Sequence, residues 1–221
     1  MGDINQYNWI KNCRDQLEGP VLEVGSRDYG STPNLRPLFD GEDYVGIDMS
    51  EGKGVDQIVD MTQSFDDISA ALGGRQFGTI ICLSVMEHVD KPFIMAENMA
   101  KLLKPGGKIC VSVPLHWKFH GYPSDYWRFT HEGVKKLFSG LDFNSENNNA
   151  TTSRLNEVVT LDENAGMIKM SGNKMRKSGH FIRGITIDVL RLLSAIGILR
   201  WLIGYRYLMV PTMINMIGQK K

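Results

Sequence analysis

The stretch VLEVGSRDYG, Val21 to Gly30, decides the fold. Its first four residues are an apolar run of strand length broken only by Glu23, and Gly25 ends the run. A charged loop containing Arg27 follows and closes on Gly30. Glycine at such a point permits a turn that other residues enter only with strain. Short apolar runs recur outward from this stretch. YVGIDM (Tyr44–Met49) closes around Asp48, DQIVDM (Asp56–Met61) around Asp60, and FGTIICLSV (Phe77–Val85) and KICVSVP (Lys108–Pro114) complete a set of five. Helical patterns lie between them. Asp3 caps a segment with Ile10, Cys13 and Leu17 at helical spacing, and Thr32-Pro33 opens a short helix to about Asp40. Pro92 begins a helix whose Met95, Met99, Leu102 and Leu103 share a face, and another runs from Thr130 to Leu141. This alternation predicts an α/β fold with a doubly wound, mostly parallel sheet, whose ligands bind beyond the carboxyl ends of the strands. After that, Asn144–Thr152 reads as a loop, and EVVTLDENAGMIKM (Glu157–Met170) as a hairpin turning at Asn164–Gly166.

The chain has 221 residues, 42% apolar and 23% charged, enough for one α/β domain and a tail. The expected division is 1–173 for the domain and 174–221 for a basic, amphipathic C-terminal helical extension. Cys13, Cys82 and Cys110 form no C-x-x-C pair, and two lie in apolar runs, so a reduced, cytoplasmic setting is expected. The N-terminus lacks a secretory pattern, and Gln6 stands where a myristoylation signal requires Ser or Thr. Net charge is zero, but nine Lys and Arg against Asp188 alone give the segment from Lys174 onward +8 and leave the body at −8. An acidic body argues against wrapping a nucleic-acid backbone, so no nucleic-acid partner is expected.

The strand-loop of Val21–Gly30, the acids Asp48 and Asp60, and LLKPGGKI before the fifth strand together resemble the class I S-adenosylmethionine-dependent methyltransferases, over residues 18–114. The resemblance implies a Rossmann-like fold with S-adenosyl-L-methionine as cofactor. It implies Glu23, Gly25 and Ser84 at the donor site, Asp48 on the ribose hydroxyls and Asp60 beside the adenine. The loop departs from the family pattern where further glycines would stand at Arg27 and Tyr29. A dinucleotide needs its pyrophosphate against bare backbone, whereas this donor carries no phosphate, and Arg27 suits its carboxylate. The departure weighs more against a nicotinamide cofactor than against the methyl donor.

SVMEHVDKP (Ser84–Pro92) resembles the E-H-V segment of methyltransferases acting on small hydroxylated molecules and sugars, which makes His88 a candidate base. The other reading is that Glu87 and His88 shape the start of the following helix. PLHWKFHGYPSDYWRFTHEG (Pro114–Gly133) resembles a segment of methyltransferase-domain proteins of cell-surface glycan synthesis. His120 and Asp125 are further catalytic candidates, and His116, Tyr126, Trp127 and Arg128 substrate-binding ones, because aromatic faces suit sugar rings and polar groups their hydroxyls. The alternative is a packed aromatic lid. His116 and His120 stand four apart, but Gly121 and Pro123 follow, so no helical metal site is expected.

The tail places Ile185, Val189, Leu192, Ile196, Leu199 and Ile203 on one helical face, with Arg200 disturbing it. Its uncharged stretch is too short to span a bilayer, so residues 181–210 suit either a membrane surface, at its inner face, or packing on protein. The sequence thus favours O-methylation of a sugar or sugar-linked lipid. A nicotinamide-dependent oxidoreductase and a non-catalytic, membrane-recruiting module are the alternatives, and oligomeric state is left open.

Overall fold

Asp3 starts the first helix, α1 (Ile4–Cys13), with a capping box: its carboxylate accepts the Asn5 and Gln6 N–H groups, and Gln6 Oε1 accepts the Asp3 N–H. The computed structural model describes residues 3–30, 32–121, 123–144, 148–152, 157–161, 167–198 and 207–221. A 3₁₀ turn at Arg14–Gln16 leads from α1 to β1 (Val21–Val24). The helix expected from Thr32 to Asp40 is only a 3₁₀ turn, Arg36–Phe39; Asn34 Oδ1 accepts the Arg36 N–H and competes with a helical start.

The next elements are β2 (Tyr44–Asp48), β3 (Gln57–Ile58), α2 (Phe65–Ala71), β4 (Phe77–Leu83), α3 (Pro92–Leu102) and β5 (Leu103–His116). Then come α4 (His131–Leu137), β6 (Leu141–Phe143), β7 (Asn149–Thr152), β8 (Glu157–Thr160), β9 (Met167–Lys169), α5 (Gly172–Lys177), α6 (Phe181–Ala195), β10 (Tyr207–Met209) and β11 (Thr212–Lys220). The main sheet has the order β3-β2-β1-β4-β5-β11-β7-β8, with β6 also paired to β11. The first five strands are parallel; β11 inserts antiparallel beside β5 and pairs with β6 and β7, and β7 with β8.

Period-two alternation divides the sheet between two cores. Leu22, Val24, Ile80 and Cys82 pack with α2, α3 and α4, while Val21, Ile81, Leu83 and Cys110 meet Trp9 and Ile10 of α1, together with Leu17 and Phe39. Each fully buried side chain of this size contributes about 1.5–3 kcal/mol.

The chain forms two compact units, 1–163 with 211–221, and 164–210. This differs from the boundary expected at 173/174, since β11 belongs to the main sheet while α5 and α6 belong to the other unit. In that second unit, β9 pairs antiparallel with β10, and α6 packs on α5 where Gly172 and Gly184 allow close approach. The loop expected at Asn144–Thr152 contains β7, and the expected β8–β9 hairpin does not form, because β8 pairs with β7 and β9 with β10; its turn, 164–166, lies outside the described residues. No helix among the described residues is long and apolar enough to cross a membrane.

Candidate active site

The sheet order reverses direction at β1, which has β2 on one side and β4 on the other. A crevice opens beyond such a switch point. Here it is a cleft of about 860 Å³, and Gly25, Arg27, Asp48, Asp60, Ser84 and His88 line it. Gly25 sits at φ +77°, its N–H bonds to Ile47 O at 2.8 Å, and a Cβ would strike Val85 Cγ2. Ser84, at the end of β4, also has positive φ, at +52°. This is an uncommon conformation for a residue with a side chain. It is held by Ser84 N–H donating to Ser112 O at 2.9 Å and by Gln6 Nε2 donating to Ser84 Oγ at 3.0 Å.

Asp48 Oδ1 accepts the Ser50 N–H at 3.0 Å, and Asp60 Oδ1 accepts both the N–H and the hydroxyl of Thr62, so each acid is set by its own short turn. Arg27 lies with its guanidinium carbon 5.2 Å from the Tyr29 ring centroid. Glu23 is not in the cleft wall. It shares the face of Val21, by strand alternation, and its Oε2 accepts the Tyr44 hydroxyl at 2.6 Å. It is 7% exposed, and burial raises its carboxyl above the usual range despite the Tyr44 bond. Asp3 and Gln6 of α1 and Trp117 also line the cleft. Sequence reasoning passed over all three as site residues, and only the D-x-x-Q capping pattern signals that Asp3 and Gln6 act together.

Farther along the cleft, the 3₁₀ turn Met86–His88 meets the loop after β5. His88 Nδ1 lies 2.6 Å from Ser124 O, so Nδ1 carries the proton and Nε2 keeps a lone pair. Its ring stands edge-on to that of His120, with centroids 4.9 Å apart. Glu87 Oε1 lies 3.9 Å from His88 Nε2 and 3.8 Å from His120 Nε2. Glu87 is 0% exposed, and neither carboxylate oxygen has a hydrogen-bond partner among the described residues. Burial pushes its pKa up to about 7, with Asp125 adding to the effect. Burial lowers that of His88, against the opposing Ser124 bond.

Asp125, proposed from sequence as catalytic, instead braces the loop. Its carboxylate takes two bonds from Arg128, at 2.5 and 2.7 Å, and accepts the His120 N–H at 2.9 Å. The Arg128 guanidinium holds it well below the usual carboxylate range. Arg128 also donates to Trp117 O and Lys118 O. Trp127 Nε1–H donates to Val89 O, and the Tyr126 N–H to Glu87 O. These residues and His116 do not line the cleft; His116 Nδ1 is buried without a partner among the described residues. The structure therefore brings together seven of the sequence candidates, Gly25, Arg27, Asp48, Asp60, Ser84, His88 and His120, and leaves the other six around them.

A parallel sheet extended by an antiparallel strand beside β5, with acids and a glycine turn at its switch point, defines the Rossmann-like class I methyltransferase fold. The chain belongs to the methyltransferase-domain family, which matches residues 8–150. Among curated proteins it is similar to ubiquinone biosynthesis O-methyltransferases. That of Dechloromonas aromatica is 30% identical over 122 residues, 50% of this chain and 51% of that protein. That of Stutzerimonas stutzeri is 27% identical over 118 residues, 48% of this chain and 49% of that protein. These matches span about half the length of each relative. Among solved structures, a SAM-dependent methyltransferase from Archaeoglobus fulgidus superposes with a TM-score of 0.54 at 15% identity, covering 97% of this chain and 92% of that one. The N-methyltransferase NodS from Bradyrhizobium japonicum, in complex with S-adenosyl-L-homocysteine, gives 0.52 at 10% identity, covering 97% and 85%.

The family implies S-adenosylmethionine, and the residues present fit it. Gly25 brings side-chain-free backbone to the cleft wall, two acids suit hydroxyl and amino donors, and Arg27 suits a carboxylate.

Proposed function

We propose that the chain is an S-adenosylmethionine-dependent O-methyltransferase acting on a hydroxyl of a small molecule, more specifically of a sugar or sugar-linked lipid. The observation that carries the reading is one continuous cleft joining Gly25 and Asp48 at one end to His88 and His120 at the other. When bound, the donor supplies a methyl group already activated on a sulfonium. Asp48 would hold the ribose hydroxyls, Arg27 the carboxylate, and the Gly25 turn would let the donor approach the backbone. His88 Nε2, with Nδ1 committed to Ser124, is the candidate acceptor of the hydroxyl proton. Trp117 at the cleft wall offers an apolar face to a sugar ring. The resemblance of the Pro114–Gly133 segment to glycan-synthesis proteins supports a sugar over the quinone precursors suggested by the relatives' names. A cytoplasmic protein resting on the inner membrane face through α6 is part of the same reading.

Calorimetry tests the donor. S-Adenosylhomocysteine should bind and NADH should not, and Asp48→Ala should weaken binding about 10- to 100-fold, since bonds to a charged group contribute about 1.5–3 kcal/mol. Unchanged affinity in that variant removes Asp48 from the donor site, and NADH binding in its place favours the oxidoreductase alternative. Mass spectrometry of glycans and glycolipids incubated with protein and donor should show added methylene masses. Donor binding without any turnover leaves the non-catalytic module.

A further inference from the structure

We propose that Glu87, His88 and His120 form a site for one divalent first-row transition-metal cation, with its open positions facing the cleft for oxygens of the acceptor. This rests on the reading of that end of the cleft as the acceptor side. One ligand atom from each residue lies within 4.8 Å of the others. A bound Zn²⁺ holds nitrogen and oxygen ligands at about 2.0–2.2 Å, so its ligand atoms sit about 3–3.5 Å apart. The Nε2 to Oε1 distances of 3.8 and 3.9 Å close to that range with shifts of a few tenths of an ångström.

Two further observations point to a ligand. Both imidazoles have Nδ1 engaged away from the cluster: His88 with Ser124 O, and His120 with Lys118 O at 3.1 Å and Asp125 Oδ2 at 3.1 Å. Such outer bonds orient metal-bound histidines and leave Nε2 for the ion. The second is Glu87 itself, whose carboxylate is wholly buried yet unpartnered among the described residues. Buried polar groups are nearly always satisfied, and a cation between two imidazoles satisfies this one. Two imidazoles and one carboxylate suit Zn²⁺, Co²⁺, Fe²⁺ or Mn²⁺ better than Mg²⁺ or Ca²⁺. The fold sets His88 beside His120, with ring centroids 4.9 Å apart. Because His88 and His120 line the cleft, the remaining coordination positions open onto it, and they favour an acceptor presenting a hydroxyl with a neighbouring oxygen, as in a vicinal diol.

The His88 lone pair cannot hold a cation and take a proton at once, so a cation bound here excludes His88 as the base. Full-length protein, stripped with a chelator, is titrated with Co²⁺ by visible absorbance and with Zn²⁺ by calorimetry. One equivalent is expected, with affinity falling at least about tenfold in Glu87→Gln and in His120→Ala, and unchanged in the surface variant His131→Ala. Thermal melts confirm that the variants are folded, and His120→Ala carries the test should Glu87→Gln fail to fold. Absence of stoichiometric binding, or wild-type affinity in both cluster variants, overturns the site. S-Adenosylhomocysteine affinity is measured in the same samples. A protein that binds it without any cation keeps the proposed function and loses this inference, whereas the reverse pattern removes the donor reading alone.

Discussion

Gly25 answers to two constraints at once, a positive φ and the Val85 methyl that occupies the place of its missing Cβ. Gly25→Ala should therefore destabilise the protein by at least about 1–2 kcal/mol for the left-handed backbone alone, with the clash added, and should weaken donor binding. Adding Val85→Ala should recover the steric part and leave the backbone part. A double variant no better than the single would show that Val85 is not the obstacle. Glu23 makes a different prediction. Its buried carboxyl binds its proton more tightly in the folded protein than in the unfolded chain, whose ordinary value is 4.5. The stabilisation associated with that proton is complete below 4.5 and is lost as pH rises through the folded value. Glu23→Gln keeps an acceptor for Tyr44 and has no proton to lose. The wild-type Tm minus that of Glu23→Gln should thus fall as pH is raised from about 4 to about 8, and a flat difference would refute the burial argument.

At the scale of elements, a buried polar chain ties the sheet to the helix over the cleft. Gln6 Nε2 donates to Ser112 Oγ at 2.7 Å, Ser112 Oγ to Asn215 Oδ1 at 2.6 Å, and Asn215 Nδ2 to Asn149 Oδ1 at 3.0 Å, joining α1, β5, β11 and β7. Asn215→Leu removes the acceptor of one bond and the donor of another and should cost about 1–3 kcal/mol per orphaned group. In a chain of this size each kcal/mol lowers Tm by about 2–4 °C. Combining it with Ser112→Ala should cost less than the sum of the two, since one orphan disappears, and strict additivity would break the chain at that link. This network also explains what the sequence hid. The strands β1, β2, β4 and β5 are visible as apolar runs because both of their faces are covered, and Gly25, Asp48 and Asp60 are visible because they follow such runs. β7 looks like a loop because Asn and Thr dominate it, yet Ala150 and Thr151 are buried and Asn149 is bonded across the sheet. In β11 the polar Asn215 is likewise buried at a position where only a distant partner makes it tolerable. The Glu87–His120 proximity depends on two loops 33 positions apart in sequence meeting, which no local period encodes.

At the scale of the whole molecule, the basic apolar segment poses the remaining question. Within the 164–210 unit, Asp188 of α6 pairs with Arg176 of α5, and the flank of α6 beside that pair is exposed, with Ile182 80% and Leu192 64% exposed and Phe181, Ile185, Val189 and Ile196 exposed with them. Lys174, Lys177, Arg183 and Arg191 belong to the same pair of helices. Apolar side chains entering a bilayer surface beside cations is the arrangement of an interfacial helix, and each Lys or Arg near an anionic surface adds about 1 kcal/mol. Truncation from Phe181 would also remove β11 from the main sheet. Substitution on the exposed flank avoids this. Full-length protein should co-sediment with phosphatidylserine vesicles, more so with rising anionic lipid and less with salt, since exposed charges are screened over about 10 Å at 0.1 M. Ile182→Asp with Leu192→Asp should abolish sedimentation while leaving S-adenosylhomocysteine affinity unchanged, because every donor-site candidate lies in the other unit. Wild-type protein indifferent to anionic vesicles would end the membrane reading. Loss of donor affinity in the doubly substituted protein would instead show that this face supports the catalytic unit.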